Sequence, residues 1–292
     1  MAIEMEKPTP RVTELRRTIR VMSDRPVVVA GAIVVFLVII VAIFAPFIAP
    51  YDYNDQNLTD RLQKPSSTHW LGTDALGRDV FSRLIYGTRI SLLVGIVAVS
   101  LAGAVGMTLG LTAGYFGGWI SNIIMRFIDA LLALPPMILM LAIAAMMGGG
   151  LISVLISIGI AMMPTYCRLM NGQVVTLKQN DYITAARAGG AGNRRIMFTH
   201  LLPNSLPPLM VLLSINLGTA ILMEASLSYL GIGILPPVPT WGNMTQSGQQ
   251  YLLSLPWMSI APGIAIMLLV LAFNMVGDGL RDALDPRLRG TL

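Results

Sequence analysis

Charge is what this chain has least of. Only 12% of its residues are Asp, Glu, Lys or Arg, about half the roughly 25% of a soluble domain. Cysteine is nearly absent too: Cys167 stands alone, so no intrachain disulfide can form. Two histidines, His69 and His200, offer no ligand spacing with each other or with the acids. Neither a metal centre nor a His-based catalytic constellation is expected from such a set. No Gly-x-x-x-x-Gly-Lys-Ser/Thr phosphate loop occurs either, so the chain is expected to bind no nucleotide. No secretory signal peptide is expected. The first apolar run begins after about 25 polar residues, and Pro46-Phe47-Ile48 stands where small cleavage-site residues belong.

What fills the space is apolar sequence. Hydrophobic residues reach 54% and the mean hydropathy is +0.69. Residues 27–48 hold no charge, and neither do the 36 residues between Arg89 and Arg126. Charge-free stretches of 38, 23 and 53 residues follow, bounded by Asp129, Arg168, His200, Glu224 and Asp278. A helical span takes about 20 apolar residues, and lipid admits only helices or closed barrels. The runs do not alternate, so they read as helices. The expected fold is an all-α polytopic membrane protein with six spans, near 27–48, 91–115, 122–146, 151–170, 205–230 and 256–277.

Orientation follows from the basic residues. Six lie in the N-terminal tail, five in 168–195, three in the C-terminal tail, and Arg126 joins them: 15 of 20 on one side. Both termini and the 171–204 loop are therefore expected to be cytoplasmic. The net charge of +5 reads as a topology signal, and no nucleic-acid partner is expected. The chain divides into a tail (1–25), a first span with an outer segment (26–88), a five-helix core (89–278) and a C-terminal tail (279–292). Arg11–Asp24 spaces Val12, Leu15, Ile19 and Met22 three and four apart, either as an amphipathic surface helix or as a disordered basic tail.

Three features inside the membrane invite roles. Span two repeats small residues at Ala102, Gly106, Gly110, Gly114 and Gly118, a smooth stripe for close helix packing, within the chain or against another membrane subunit. Spans three and four are rich in methionine, including Met137, Met140 and Met163. Flexible thioethers suit a promiscuous pathway or ordinary packing. Glu224 is the acid deep in a late span; it lines a path for cargo or makes a structural pair. Outside the membrane, Asp74, Arg78, Asp79, Arg83 and Arg89 alternate in sign as a salt-bridged lead-in to span two, with His69 apart. The uncharged 232–254 loop, with Trp241, Asn243 and Gln246, reads as a contact surface or a polar lid.

The most informative segment is the charged island between spans four and five. Asn180 and Asp181 suit a helix N-cap. A short helix should run to Ala188, break at Gly189-Gly190, and resume from Asn193 to Leu201 before Pro203. Ala185 and Ala186 leave a low surface, Gly190 a tight turn, and Arg187, Arg194 and Arg195 charge-assisted contacts. A bent, basic elbow kept between spans is expected to meet a soluble partner.

These residues resemble the EAA loop of ABC importer permeases: Glu-Ala-Ala, three residues, Gly, nine residues, Ile, one residue, Leu-Pro. Ala185, Ala186, Gly190, Leu202 and Pro203 fall in register, while Thr184 replaces the glutamate and His200 the isoleucine. The stretches 69–95, 228–244 and 273–290 extend the resemblance to the second permease subunit of dipeptide, oligopeptide and nickel ABC importers. The resemblance implies a type I importer in the bacterial inner membrane. It also implies a related permease, two cytoplasmic ATPases that bind ATP and magnesium, and an extracytoplasmic solute-binding protein as partners. Cargo would be di- or oligopeptides; nickel or a metal chelate, glutathione and other small solutes are the alternatives. An ion-coupled secondary carrier fits less well, since the intramembrane ionisable set is nearly Glu224 alone.

Overall fold

The computed structural model describes residues 21–284, and the expected N-terminal surface helix lies outside them except for its last few residues. Among the described residues the regular structure is helical apart from one isolated bridge between Thr73 and Asp79. Helix α1 is Pro26–Ile48, opened by proline at its first position, where the missing N–H has no intrahelical partner to lose. One side, with Val28, Gly31, Ala42 and Ala45, is buried against the body, while Phe36, Ile43 and Phe47 stand out from it, as a lipid-facing helix requires.

Helix α2, Val80–Phe116, has 37 residues and so runs about 55 Å. Asp79 caps it, its Oδ2 accepting from the Ser82 backbone N at 2.7 Å. The helix therefore starts eleven residues before the expected span, and the boundary drawn at 88/89 falls inside it. It packs along α5, Leu151–Leu177. The small residues make that contact. A Cβ on Gly106 would stand 2.6 Å from the Met163 carbonyl oxygen, one on Gly110 2.4 Å from that of Cys167, and one on Gly114 2.8 Å from the Val174 side chain. The stripe lies within the chain and ends at Gly114. Gly118 falls beyond the helix and meets nothing within 4 Å.

The third span is not one helix. α3, Gly118–Leu132, and α4, Pro136–Met146, meet at 91°. Pro135 and Pro136 cause the break. They remove the N–H groups that would have bonded back to Leu131 and Leu132, and Pro135 drives Leu134 out of the helical region. The described residues thus hold five long apolar helices and one bent pair. α5 continues seven residues beyond the expected end of the fourth span at 170 and carries Arg168 well inside the helix.

After residues 178–180 come α6 (Asp181–Ala188), the single turn α7 (Asn193–Arg195), a π-helical stretch (Ile196–Leu201) and α8 (Leu202–Tyr229). α9 (Trp241–Gln249) lies in the outer loop and α10 (Trp257–Leu284) closes the chain. α10 overruns the expected end of the last span, and Arg25 pairs with Asp282, joining the start of α1 to the end of α10. The largest buried cluster draws on α2, α4, α5, the π stretch and α8, with Tyr166, Met170 and Leu201 at its centre.

Candidate functional site

The elbow between α5 and α8 is built on a rigid root. At the end of α5, Lys178 donates from Nζ to the Tyr115 carbonyl at 2.8 Å and lies 5.9 Å over the Tyr115 ring. The Tyr115 hydroxyl in turn donates to Asn193 Oδ1 at 2.7 Å. Ile183, Ile196, Met197 and Leu201 are buried in the main core with Val174. The two short helices are thereby fixed to the C-terminal ends of α2 and α5.

The turn between them explains the residue spacing. The Ala191 N–H reaches the Ala186 carbonyl at 3.0 Å, and the Gly190 N–H reaches that of Arg187 at 3.0 Å. These are the two bonds of a Schellman motif, with Gly190 at the left-handed position, φ +81°. Ala186 and Gly190 are therefore coupled through backbone geometry. A Cβ at Gly190 would meet nothing within 4 Å, so its requirement is conformational. Asn180 occupies the cap position of α6, but its side chain makes no capping bond; its extended backbone alone starts the helix.

Pro203 does not end the second helix. The chain passes through Ile196–Leu201 in π geometry directly into α8. The change from i→i+5 to i→i+4 bonding leaves a gap in the ladder anyway, so the absent proline N–H costs little there. The elbow is thus one free helix, one turn, and the projecting foot of a transmembrane helix.

Its outer surface is open. Asp181, Thr184, Ala185, Arg187, Gly190, Arg194, Arg195 and Pro203 are exposed, Ala186 and Leu202 half-buried. Among the described residues Arg187, Arg194 and Arg195 enter none of the ion pairs. Beside the root, a cleft of about 650 Å³ is lined by Leu169, Gln173, Asn204, Pro207 and Arg281.

The expected pathway residues are not brought together. Glu224 is fully buried. The Ser228 hydroxyl donates to its Oε1 at 2.7 Å, and the Thr240 side chain is the carboxyl's other polar neighbour. The same Ser228 oxygen accepts from the Ile234 N–H at 3.3 Å, tying α8 to the outer loop. Met140 and Met163 lie in separate core clusters. Met137 alone is exposed, on a cavity of about 480 Å³ with Tyr229, Thr245 and Ile266.

The outer end is tightly paired. Asp74 Oδ2 accepts from Arg78 Nε at 2.7 Å and faces Arg83 Nε at 3.7 Å. Arg83 donates to the Tyr53 carbonyl at 2.9 Å and to that of Pro237 at 3.4 Å. His69 does not stand apart, since its Nδ1 lies 2.9 Å from Asp79 Oδ1. Arg78 pairs within a loop, because the helix begins only at Val80, and Arg89 is exposed outside the network. The 232–254 loop contains α9, whose N-terminus is closed by a Thr240–Asn243 capping box. Trp241 is buried and donates from Nε1 to the Leu84 carbonyl at 3.0 Å.

The described residues thus form a helical body of five long apolar helices and one bent pair, with a rooted, exposed basic elbow at one end. Comparison with known proteins gives the family. Residues 106–290 match the binding-protein-dependent transport system inner membrane component. Residues 13–65 match the N-terminal transmembrane domain of oligopeptide transport permease C. The chain belongs to this permease family. It is 45% identical to the dipeptide transport system permease protein DppC of Alkalihalophilus pseudofirmus, over 95% of this chain and 91% of that one. It is 46% identical to the glutathione transport system permease protein GsiD of Pectobacterium atrosepticum, over 90% and 88%. To the probable D,D-dipeptide transport system permease protein DdpC of Escherichia coli it is 41% identical, over 92% and 90%. The fold is also that of solved transporters. An inward-facing structure of the MetNI methionine ABC transporter aligns with a TM-score of 0.55 at 20% identity, over 70% of this chain and 96% of that one. An amino acid ABC transporter aligns at 0.54 and 14%, over 69% and 94%.

Proposed function

We propose that this chain is one of two related membrane subunits of an ATP-driven importer of small peptides in the bacterial inner membrane, with its termini and elbow in the cytoplasm. The observation that carries the reading is the elbow. Three arginines that enter no ion pair among the described residues, and the Ala185–Ala186 surface, project from a base locked by Tyr115, Lys178 and Asn193. Two cytoplasmic ATPases bind ATP and magnesium; this chain supplies no group for the hydrolysis. Their closing on ATP pushes Asp181–Leu201, and α8 carries the push into the membrane because the elbow and the helix are continuous. ATP can drive the change only through its different affinity for the two arrangements of the complex. An external binding protein delivers the cargo. Relatives named for dipeptide, D,D-dipeptide and glutathione transport support a small peptide as that cargo.

The test is uptake by the full complex in proteoliposomes. Gly190→Leu should insert and assemble normally, yet lose ATP-dependent dipeptide uptake. Uptake that persists without ATP, or that is untouched by the substitution, would overturn the reading.

A further inference from the structure

Two helices of this chain, α2 and α8, are tied to each other twice, once at each end. At the elbow end the tie is a hydrogen bond. The Tyr115 hydroxyl, near the C-terminus of α2, donates to Asn193 Oδ1 at 2.7 Å. Asn193 opens a stretch that stays helical to Tyr229, the last residue of α8. At the far end the tie is α9. Its Trp241 donates from Nε1 to the Leu84 carbonyl of α2 at 3.0 Å. The indole ring lies against Gly87, where a Cβ would stand 3.0 Å from its Cδ1. The next residue, Gly242, rests on α8: a Cβ there would stand 2.4 Å from the Ala225 carbonyl oxygen. The preceding residue, Thr240, caps α9 and neighbours the Glu224 carboxyl of α8. Three consecutive residues thus hold α9 to both helices.

The two rods match in length. Leu84 and Tyr115 are 31 residues apart along α2, and Asn193 and Ala225 are 32 apart along α8. At the rise of an α-helix each rod is about 46–48 Å. Between the ties, α2 and α8 meet through apolar side chains, with Gly95 facing Ile221 and Gly103 facing Leu213. Apolar contact is non-directional, so packed helices can slide a little past each other. The ties are different. A hydrogen bond weakens steeply as its angle fails, and the close backbone approach at Gly242 has no side chain that could give way. The ties, and not the seam between them, fix the register of α8 against α2.

We propose that the elbow, α2, α8 and α9 move as one closed frame, with Tyr115 and Trp241 as the positioning residues that make α9 follow the elbow. The proposal rests on the importer reading above, in which an ATPase displaces the elbow. A push along α8 alone would shear it past α2 and break a tie; with both ties intact, α9 is carried along. Coupling over such a distance needs rigid elements with two arrangements, and the matched rods supply them. Gln249 and Gln250, exposed at the end of α9, then stand differently in each nucleotide state. A partner on that face can thereby respond to ATP bound at the other, and by reciprocity influence its binding.

The experiment uses the permease–ATPase complex in lipid nanodiscs, cysteine-free through Cys167→Ser and matching changes in its partners. Single cysteines replace Ala188 on the elbow and Gln250 on α9, both exposed. The rate of modification by a charged thiol reagent is read with and without ATP. Both rates should change on adding ATP. In Tyr115→Phe, and separately in Trp241→Phe, the Ala188→Cys response should persist while the Gln250→Cys response falls roughly fivefold, as loss of one buried hydrogen bond implies. Should Tyr115→Phe fail to assemble, Asn193→Ala removes the same bond from its exposed side. The double variant should lose no more than either single, because the two bonds act in series; independent contributions would multiply to about 25-fold. An elbow thiol that responds to ATP beside an α9 thiol that does not would overturn the frame. So would an α9 response untouched by either substitution, or multiplied losses in the double variant. If neither thiol responds in the unsubstituted frame, the importer reading itself falls.

Discussion

The two ends of this molecule use the same side chain in opposite ways. At the outer end Arg83 is almost fully buried and divided among Asp74, the Tyr53 carbonyl and the Pro237 carbonyl. At the inner end Arg187, Arg194 and Arg195 are exposed and meet no acid of their own chain among the described residues. A buried charge is costly unless paired, so the outer network defines one geometry for the 50–79 segment, the start of α2 and the Pro-rich loop. An exposed charge costs little and contributes little to stability. On the proposed reading its contribution comes when a partner desolvates it. The outer end is a clasp, and the inner end is a handle.

That contrast is open to experiment. The largest effect should come from the clasp. Arg83→Ala leaves Asp74 to Arg78 alone, frees the Tyr53 and Pro237 carbonyls and leaves a cavity, and should cost about 3 kcal/mol, seen as a large fall in the detergent-solubilised complex's melting temperature. If stability is unchanged, the outer end is no clasp. Next is the spine between clasp and handle. Gly110→Leu forces a side chain into the Cys167 carbonyl and should cost about 1–3 kcal/mol or more by overpacking, with loss of assembled protein on the same thermal assay. Gly190→Ala should be milder. Open space surrounds it, so only the left-handed backbone is penalised, by about 1–2 kcal/mol, with a larger loss of coupled uptake than of stability. Smallest in stability are Arg187→Ala, Arg194→Ala and Arg195→Ala, each within about 0.5 kcal/mol. Yet each should weaken ATPase binding, increasingly at high salt, as measured by co-purification across a salt series. A melting shift as large as that of Arg83→Ala would erase the difference between the two ends.

Much of this was legible in residues. Charge-free runs gave the number of apolar segments because lipid penalises charge wherever it falls. They could not show how a segment bends. Pro135-Pro136 lay inside an uncharged stretch, and the dipeptide itself was the overlooked signal. Arg168 lay inside the expected fourth span, but its ion pair with Asp129 is a tertiary contact that charge counting does not reveal. The elbow was readable through Ala186 and Gly190 because a Schellman turn is local chemistry. Pro203 misled because the helix-stop rule assumes α geometry, and a π stretch removes the conflict. The partnership of His69 with Asp79, and the descent of Trp241 onto Leu84, are tertiary events. Only Thr240 and Asn243, spaced for a capping box, announced α9 in advance.

The central claim is that the elbow is the surface an ATPase grips. Site-specific cross-linking from Ala188→Cys in the Cys167→Ser background of the assembled transporter tests it most directly. The account predicts an adduct with an ATP-binding subunit whose yield changes when ATP is added. An adduct with the external binding protein, or none under any nucleotide condition, would contradict it.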